Sequence, residues 1–235
     1  TAPLVERAAG VLVNSNAARR ALLLDLAPMA WRPPLEVVPP ACPPVRPAGT
    51  PSVAADTETV VAFGVVSMGK RPDLLVDAAA LAGCRLAFVG PCPEVLEQLV
   101  MERATARGIA DRVQVAGRVD DEAWWDWMER ATLAVQLRDS AGGEMSAAVL
   151  DALAAGVPVV TNLASARDYP PGTLELIEDA APTAPVLAAA IGRLLGPDNQ
   201  PRRRSLSTAG RDFAAAHQTE HLAAAVAAVL ARPPE

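Results

Sequence analysis

From Thr59 onward, short continuous apolar runs alternate with longer stretches of helical spacing, and this alternation constrains the fold more than any other feature. The runs are Val60–Phe63, Leu86–Val89, Val113–Ala116, Leu133–Leu137 and Val157–Thr161, with a weaker one at Leu174–Ile177. The helical patterns between them cover Pro72–Leu81, Glu94–Arg107, Asp121–Arg130 and Ser146–Ala155. Runs without alternation suit strands buried on both faces. Strand–helix alternation with short loops predicts an α/β fold, a doubly wound, Rossmann-like parallel sheet of about six strands with helices on both faces. Its crossovers are expected to be right-handed. The alanine-rich tail, Ala184–Leu195, Ser205–Ala216 and Glu220–Ala231, predicts a helical C-terminal extension.

The first 38 residues read as strand, helix, strand: Val11–Asn14, a helix capped by Ser15 or Asn16 and carrying Ala18, Leu22, Leu23 and Leu26, then Leu35–Val38. Eight prolines between Pro33 and Pro51 follow, at 33, 34, 39, 40, 43, 44, 47 and 51. Proline removes backbone donors and favours extended chain, so this stretch reads as a stiff hinge. The expected organisation is 1–51 as leading segment and hinge, 52–200 as the sheet domain and 201–235 as the helical extension. A chain of 235 residues holds one large domain plus a hinge, not two domains of ~150 residues each.

Composition narrows the function classes. With 51% hydrophobic and 20% charged residues, the chain has the material for a packed core. No uncharged apolar run reaches the ~18 residues of a membrane span. It begins at Thr1 with no basic segment leading into an apolar one, which reads as a processed product or an excised fragment. A net charge of −6 and 3% aromatics argue against a nucleic-acid partner, which needs a basic face and stacking platforms. Three cysteines, Cys42, Cys84 and Cys92, lack a CxxC spacing, so reduced thiols in a cytoplasmic protein are expected. Of 21 basic residues, Lys70 is the one lysine, which makes its position worth attention.

In a doubly wound sheet, ligands bind beyond the carboxyl ends of the strands. The loop after Phe63 reads Gly64-Val65-Val66-Ser67-Met68-Gly69-Lys70-Arg71 and runs into a helix opened by Pro72. This is G-x-x-x-x-G-K with Arg71 where a phosphate-binding NTPase loop has the Ser or Thr that holds Mg²⁺. What remains is a cation at a strand–helix junction, beside N–H groups suited to an anion. The loop after Leu137 carries Arg138, Gly142, Gly143, Glu144, Met145 and Ser146. The glycines allow close approach to a ligand, and Ser146 or Glu144 can cap the following helix. Asp151 lies in the apolar stretch Ala147–Ala155 and must reach water or a partner such as a sugar hydroxyl. No acidic metal cluster is visible.

Together the segments Phe63-Gly64 with Lys70-Arg71, Leu86–Gly90, Arg112–Val119, Gly143–Ser146 and Leu150–Val160 resemble the C-terminal, donor-binding half of a family 4 retaining glycosyltransferase of the GT-B fold. The resemblance runs from about Val11 to the C-terminus. It implies transfer of a hexose from a nucleoside diphosphate sugar (UDP-, GDP- or ADP-linked) to an acceptor hydroxyl, with no cofactor or metal required. Lys70 and Glu144 would then be catalytic, Lys70 on the donor diphosphate and Glu144 near diphosphate and sugar. Asp151 would hold the ribose hydroxyls, and Gly117, Arg118 and Val119 would line the base. Gly64, Arg71, Arg138, Gly142, Gly143, Met145 and Ser146 would complete the donor site. Val65 stands where the family often has Arg, with Arg71 or Arg138 as substitutes. Glu144 and Asp151 are seven residues apart where the family usually has eight, and Asp151 is shorter than the usual Glu. Residues 1–51 would be the end of an N-terminal acceptor domain, the crossover and the hinge. Without that domain the chain is expected to be inactive, and any peripheral membrane association would run through it.

Two rival readings stand beside this one: a non-catalytic nucleotide-binding or scaffold domain with a degenerate transferase fold, and a P-loop-like nucleotide hydrolase. Other features suggest packing. Trp124, Trp125 and Trp127 read as core or interface side chains rather than a base-stacking platform. Arg202, Arg203 and Arg204 read as a solvated run, and His217 and His221 lack a third metal ligand.

Overall fold

The computed structural model describes residues 5, 8, 10–27, 34–46, 58–139, 145–166, 168–179 and 181–231. Six strands form one parallel sheet: β3 (Thr59–Phe63), β4 (Arg85–Val89), β5 (Val113–Gly117), β6 (Leu133–Gln136), β7 (Val159–Asn162) and β8 (Glu175–Ile177). Their order across the sheet is β5-β4-β3-β6-β7-β8. Each of these lies within two residues of its predicted run. The order reverses between β3 and β6, which opens a crevice beyond their carboxyl ends.

Alternate residues of the strands feed two cores, as the twofold periodicity of a strand requires. Val60, Leu86, Phe88, Leu133, Val135 and Val160 face one side. There they meet α2 (Pro72–Ala82), α3 (Glu94–Ala106) and α7 (Ala184–Gly192). Val61, Phe63, Ala87, Val89, Ala134 and Val159 face the other side. Their partners there come from α4 (Asp121–Arg130), α5 (Ala147–Ala155) and α8 (Gln200–Ala216). A four-residue helix, α6 (Leu163–Ala166), follows β7, and α9 (Thr219–Leu230) ends the described chain.

The arginine run at 202–204 lies at a helix start with Arg202 and Arg204 exposed, as a solvated helix start would be, while Arg203 is half-buried. The helix that carries it begins at Gln200, five residues before the sequence expectation, because Pro201 is favoured in a first turn. Arg202 and Arg193 reach the buried Glu175 carboxylate at 2.6 and 2.8 Å. Arg203 donates to the Leu194 and Gly196 carbonyls. On the opposite flank, Arg103 and Arg107 hold Asp77 at 2.6 and 2.9 Å. The Arg103 hydrogen bond keeps the Asp77 carboxyl down at about 2. The Glu175 cluster fastens α8 and the end of α7 to β8, and the Asp77 cluster fastens α3 to α2.

A second, two-stranded parallel sheet pairs β1 (Val11–Val13) with β2 (Leu35–Val37), linked by α1 (Asn16–Asp25). Ser15 caps α1 through the Ala18 N–H, and Asp168 accepts from the Asn16 N–H at 2.9 Å. The described part of the proline segment is strapped down along the main domain. The Cys42 N–H donates to the His217 carbonyl at 2.7 Å and the Arg46 N–H to the Ala154 carbonyl at 3.0 Å. Gln218 donates to the Pro43 carbonyl.

Candidate donor site

The site begins where β3 ends. Gly64 has φ +85, which a side chain rarely adopts, and a Cβ there would lie 3.0 Å from Lys70 Nζ and 3.9 Å from Ala148 Cβ. The loop after β3 thus closes against its own lysine and against the first turn of α5. Neighbouring Gly90 has no room for a side chain either, since a Cβ would meet the Gly64 carbonyl oxygen at 2.5 Å. Backbone bonds extend the ladder into the loop: Gly64 N–H to Val89 O, Val66 N–H to Pro91 O, and Gly90 N–H to Gly117 O. Across the switch point, the Asp139 N–H donates to Gly69 O at 2.9 Å, tying the loop after β6 to the lysine loop.

Lys70 is half-buried and its Nζ donates to the Phe63 carbonyl at 2.9 Å. Burial, with help from the Arg138 charge, pushes its pKa down to about 8. Among the described residues no carboxylate pairs with Lys70 or with the Arg138 guanidinium. Arg71 is different. It sits in the left-handed region at φ 53, and its guanidinium is engaged by Asp73 at 3.3 Å and Asp139 at 3.7 Å. Those bonds raise its pKa. Of the two arginines that could stand in for a missing cation, Arg138 is the one whose charge bears on Lys70.

Three polar side chains at strand ends build the floor of the crevice, and the sequence reading passed over them. Gln136 donates to the Phe63 carbonyl at 3.2 Å, so that one oxygen serves both Lys70 and Gln136. Thr161 donates to Gln136 O at 2.6 Å. Asn162 clamps the Arg138 backbone, accepting from its N–H at 3.1 Å and donating to its carbonyl at 2.8 Å. The available signal was a polar residue ending an otherwise apolar strand, which demands a hydrogen-bond partner inside.

Helix α5 enters this crevice by its N-terminus. Met145 and Ser146 before it are buried. Ser146 stands at the N-cap position, but its side chain makes no capping bond. In the first turn the Val149 N–H bonds back to the Ser146 carbonyl at 3.0 Å, the turn itself carries no acid, and among the described residues the Ala147 and Ala148 N–H groups are left to the positive end of the helix. One turn on, Asp151 is half-buried and accepts from Trp124 Nε1 at 3.2 Å. Burial raises its pKa and the indole bond partly offsets that.

Trp124 in turn packs edge-on to Phe63, with ring centroids 5.1 Å apart. Trp125 and Trp127 lie under Arg46 and Arg130. Gly117 ends β5 and Arg118 and Val119 follow it, two strands and roughly 10 Å from β3. Arg118 is exposed, and Val119 packs on the same apolar cluster as Trp124. Gly142, Gly143 and Glu144 lie outside the described residues. His217 stacks on Phe213 at 4.1 Å. Among the described residues no three His, Cys, Asp or Glu side chains gather as a metal site would need. None of the described helices is long and apolar enough to cross a membrane.

The elements that build this site coincide with a family match: residues 57–196 fit the model described as glycosyl transferases, group 1. The chain belongs to the group 1 glycosyltransferase family. No curated protein matches it in sequence. Among solved structures similar to this chain is Anabaena HepE in complex with UDP and glucose, with a TM-score of 0.80 at 17% identity over 96% of this chain and 64% of that one. The pneumococcal O-GlcNAc transferase GtfA, in complex with UDP and GlcNAc, gives 0.72 at 15% identity over 97% and 46%. Sucrose-phosphate synthase from Thermosynechococcus elongatus gives 0.77 at 22% identity over 97% and 59%. These likenesses establish the Rossmann-like domain of the GT-B fold. The chain spans 46–64% of the length of the three structures.

Proposed function

We propose that the chain is the donor-binding half of a family 4 retaining glycosyltransferase. It would move a hexose from a nucleoside diphosphate sugar to an acceptor hydroxyl. The observation that carries this reading is the convergence at the switch point of Lys70, Arg138 and the α5 N-terminus, with no carboxylate pairing either cation among the described residues. Fixed positive charge and oriented N–H groups without a counter-charge suit a diphosphate and stabilise it as it leaves. The presence of UDP in the HepE and GtfA structures supports a nucleotide as the ligand.

In this reading the bond between the anomeric carbon and the β-phosphate oxygen breaks. The acceptor oxygen takes its place on the same face of the sugar, and the acceptor proton passes to the departing phosphate oxygen. Lys70 and Arg138 carry the negative charge left on the diphosphate. Asp151 receives the ribose hydroxyls, the Gly117–Val119 loop borders the base, and Glu144 serves the sugar. The cations do the work of a metal ion. The acceptor is bound by a separate N-terminal domain, so this chain alone binds donor without transferring sugar.

Calorimetric titration with UDP, GDP and ADP, in EDTA and in Mg²⁺, tests this. At least one diphosphate should bind without metal, and Lys70→Ala should weaken it by roughly 10- to 100-fold, the worth of one charge-assisted hydrogen bond. Incubation of the same samples with labelled donors and acceptor sugars should yield no transfer product. Binding only of triphosphates with Mg²⁺ would point to a hydrolase, and no nucleotide binding would leave a scaffold.

A further inference from the structure

Asp151 has one side-chain hydrogen bond among the described residues, from the Trp124 indole at 3.2 Å. A carboxylate can accept about four, so most of its capacity is open. The bonded oxygen, Oδ2, is held by a donor that cannot accept in return. The indole is itself fixed, because its edge packs on Phe63, a side chain fully buried in the sheet. The Phe63 carbonyl is the anchor of Lys70 Nζ. A continuous series of contacts therefore runs from ammonium to strand end to indole to carboxylate. It sets the spacing between the cation and the acid through rigid parts.

We propose that Trp124 is a positioning residue for Asp151, aiming its carboxylate at the ribose diol of the donor nucleotide. The inference rests on the donor-binding reading above. It explains how the short Asp side chain can serve: a longer acid finds its rotamer against the ligand, whereas this one is placed by a neighbour before the ligand arrives. Pre-placement of this kind lowers the ordering cost of binding. A tryptophan that merely fills the core would satisfy its N–H on any nearby acceptor. The two roles differ in one measurable respect, the recognition of the ribose hydroxyls.

The experiment is calorimetry on the whole 235-residue chain. UDP, GDP and ADP are each compared with their 2′-deoxy counterparts, in the parent protein, Trp124→Phe, Asp151→Asn and the double variant. The parent should bind the best ribonucleotide at least ~10-fold more tightly than its deoxy form. Trp124→Phe keeps a ring against Phe63 and should retain the deoxy affinity within ~2-fold, while the ribose preference falls below ~3-fold. The double variant should lose no more preference than either single one, as two residues acting on one hydroxyl contact require. Should Trp124→Phe prove unfolded by its melting curve, Trp124→Leu gives the same reading, since it too has no donor for Asp151. If the parent prefers ribose and the Trp124 variants keep that preference, Trp124 is packing only and the donor reading survives. If the parent binds no nucleoside diphosphate, the donor reading fails and this inference fails with it.

Discussion

Lys70 shows how far a single residue can be read from sequence and where the reading stops. Its place in the loop after β3, and its status as the one lysine, were both visible in the sequence. Its partners were not. The Phe63 carbonyl, the Arg138 charge and Gln136 come together only through the pairing of β3 with β6, whose sequence positions are some seventy residues apart. The same holds for Trp124, which looked like core material until its indole was found on Asp151. The tuned lysine also carries a stability cost. Its folded pKa, about 8, lies below the ordinary 10.5, so folding disfavours the charged form. The linkage therefore runs one way: the penalty is full below pH 8, where lysine is charged in both states. It fades as pH rises from about 8 to 10.5, and above that it is gone. Removing the charge should stabilise the empty protein. Lys70→Met is expected to gain about 1–3 kcal/mol at pH 7, a rise of a few degrees in melting temperature. The gap between variant and parent should close by about pH 10.5, as scanning calorimetry across that range would record. A variant that melts lower at pH 7 would show that the Phe63 hydrogen bond outweighs the burial of the charge.

At the scale of elements, local signals and tertiary context divide the labour. Boundaries set by capping chemistry were legible. Pro72 opens α2, Asp120 caps α4 through the Ala123 N–H, and the α4 range fits the predicted one end to end. The contacts of helix ends were not legible. Helices α2 and α5 both stop at a left-handed glycine, Gly83 at φ 71 and Gly156 at φ 74, and in sequence the two stops look alike. In space they differ. A Cβ on Gly83 would meet nothing within 4 Å, while one on Gly156 would land on the Arg211 guanidinium. That guanidinium donates to the Ala155 carbonyl at 2.9 Å and so caps α5 from α8. Gly83→Ala should cost about 1 kcal/mol, the ordinary strain of a left-handed alanine. Gly156→Ala should cost about 2–4 kcal/mol, because it also displaces the half-buried guanidinium that caps the helix. Urea denaturation of the two variants side by side isolates the difference. Equal midpoints would mean that Arg211 moves aside without loss.

At the scale of the molecule, the parallel sheet and its strand boundaries followed from the alternation of apolar runs, but its consequences for stability depend on what each sheet is packed against. The six-stranded sheet is covered on both faces, and Val60, Val61, Phe63, Ala134 and Val160 are wholly buried. Among the described residues the pair β1–β2 is less covered: Leu12 is 41% exposed and no residue within α1 is buried, although Leu26 at its end is. Both regions carry the same strand–helix–strand pattern in sequence, since pattern reports periodicity and not what lies opposite. Two parallel strands hold little on their own. Beside the buried Leu26, Val38 and Cys42, the anchors among the described residues are polar and local: the Asp168 carboxylate on the α1 N-terminus, and the Cys42, Arg46 and Pro43 bonds that strap the following segment to α5 and the α8–α9 junction. The small unit should therefore open well before the large sheet does. Native-state hydrogen exchange is expected to show the amides of residues 11–13 and 35–37 exchanging at least ~100-fold faster than those of 60–63, 86–89 and 133–136, a gap of about 3 kcal/mol in opening free energy. Asp168→Ala, which removes the acceptor for the Asn16 and Ala17 N–H groups, should speed exchange in residues 11–25 and leave the six-stranded sheet unchanged. Exchange at one common rate in both sheets would instead mean that the strap makes them a single cooperative unit, and that docking of the small sheet is part of what holds the donor crevice in shape.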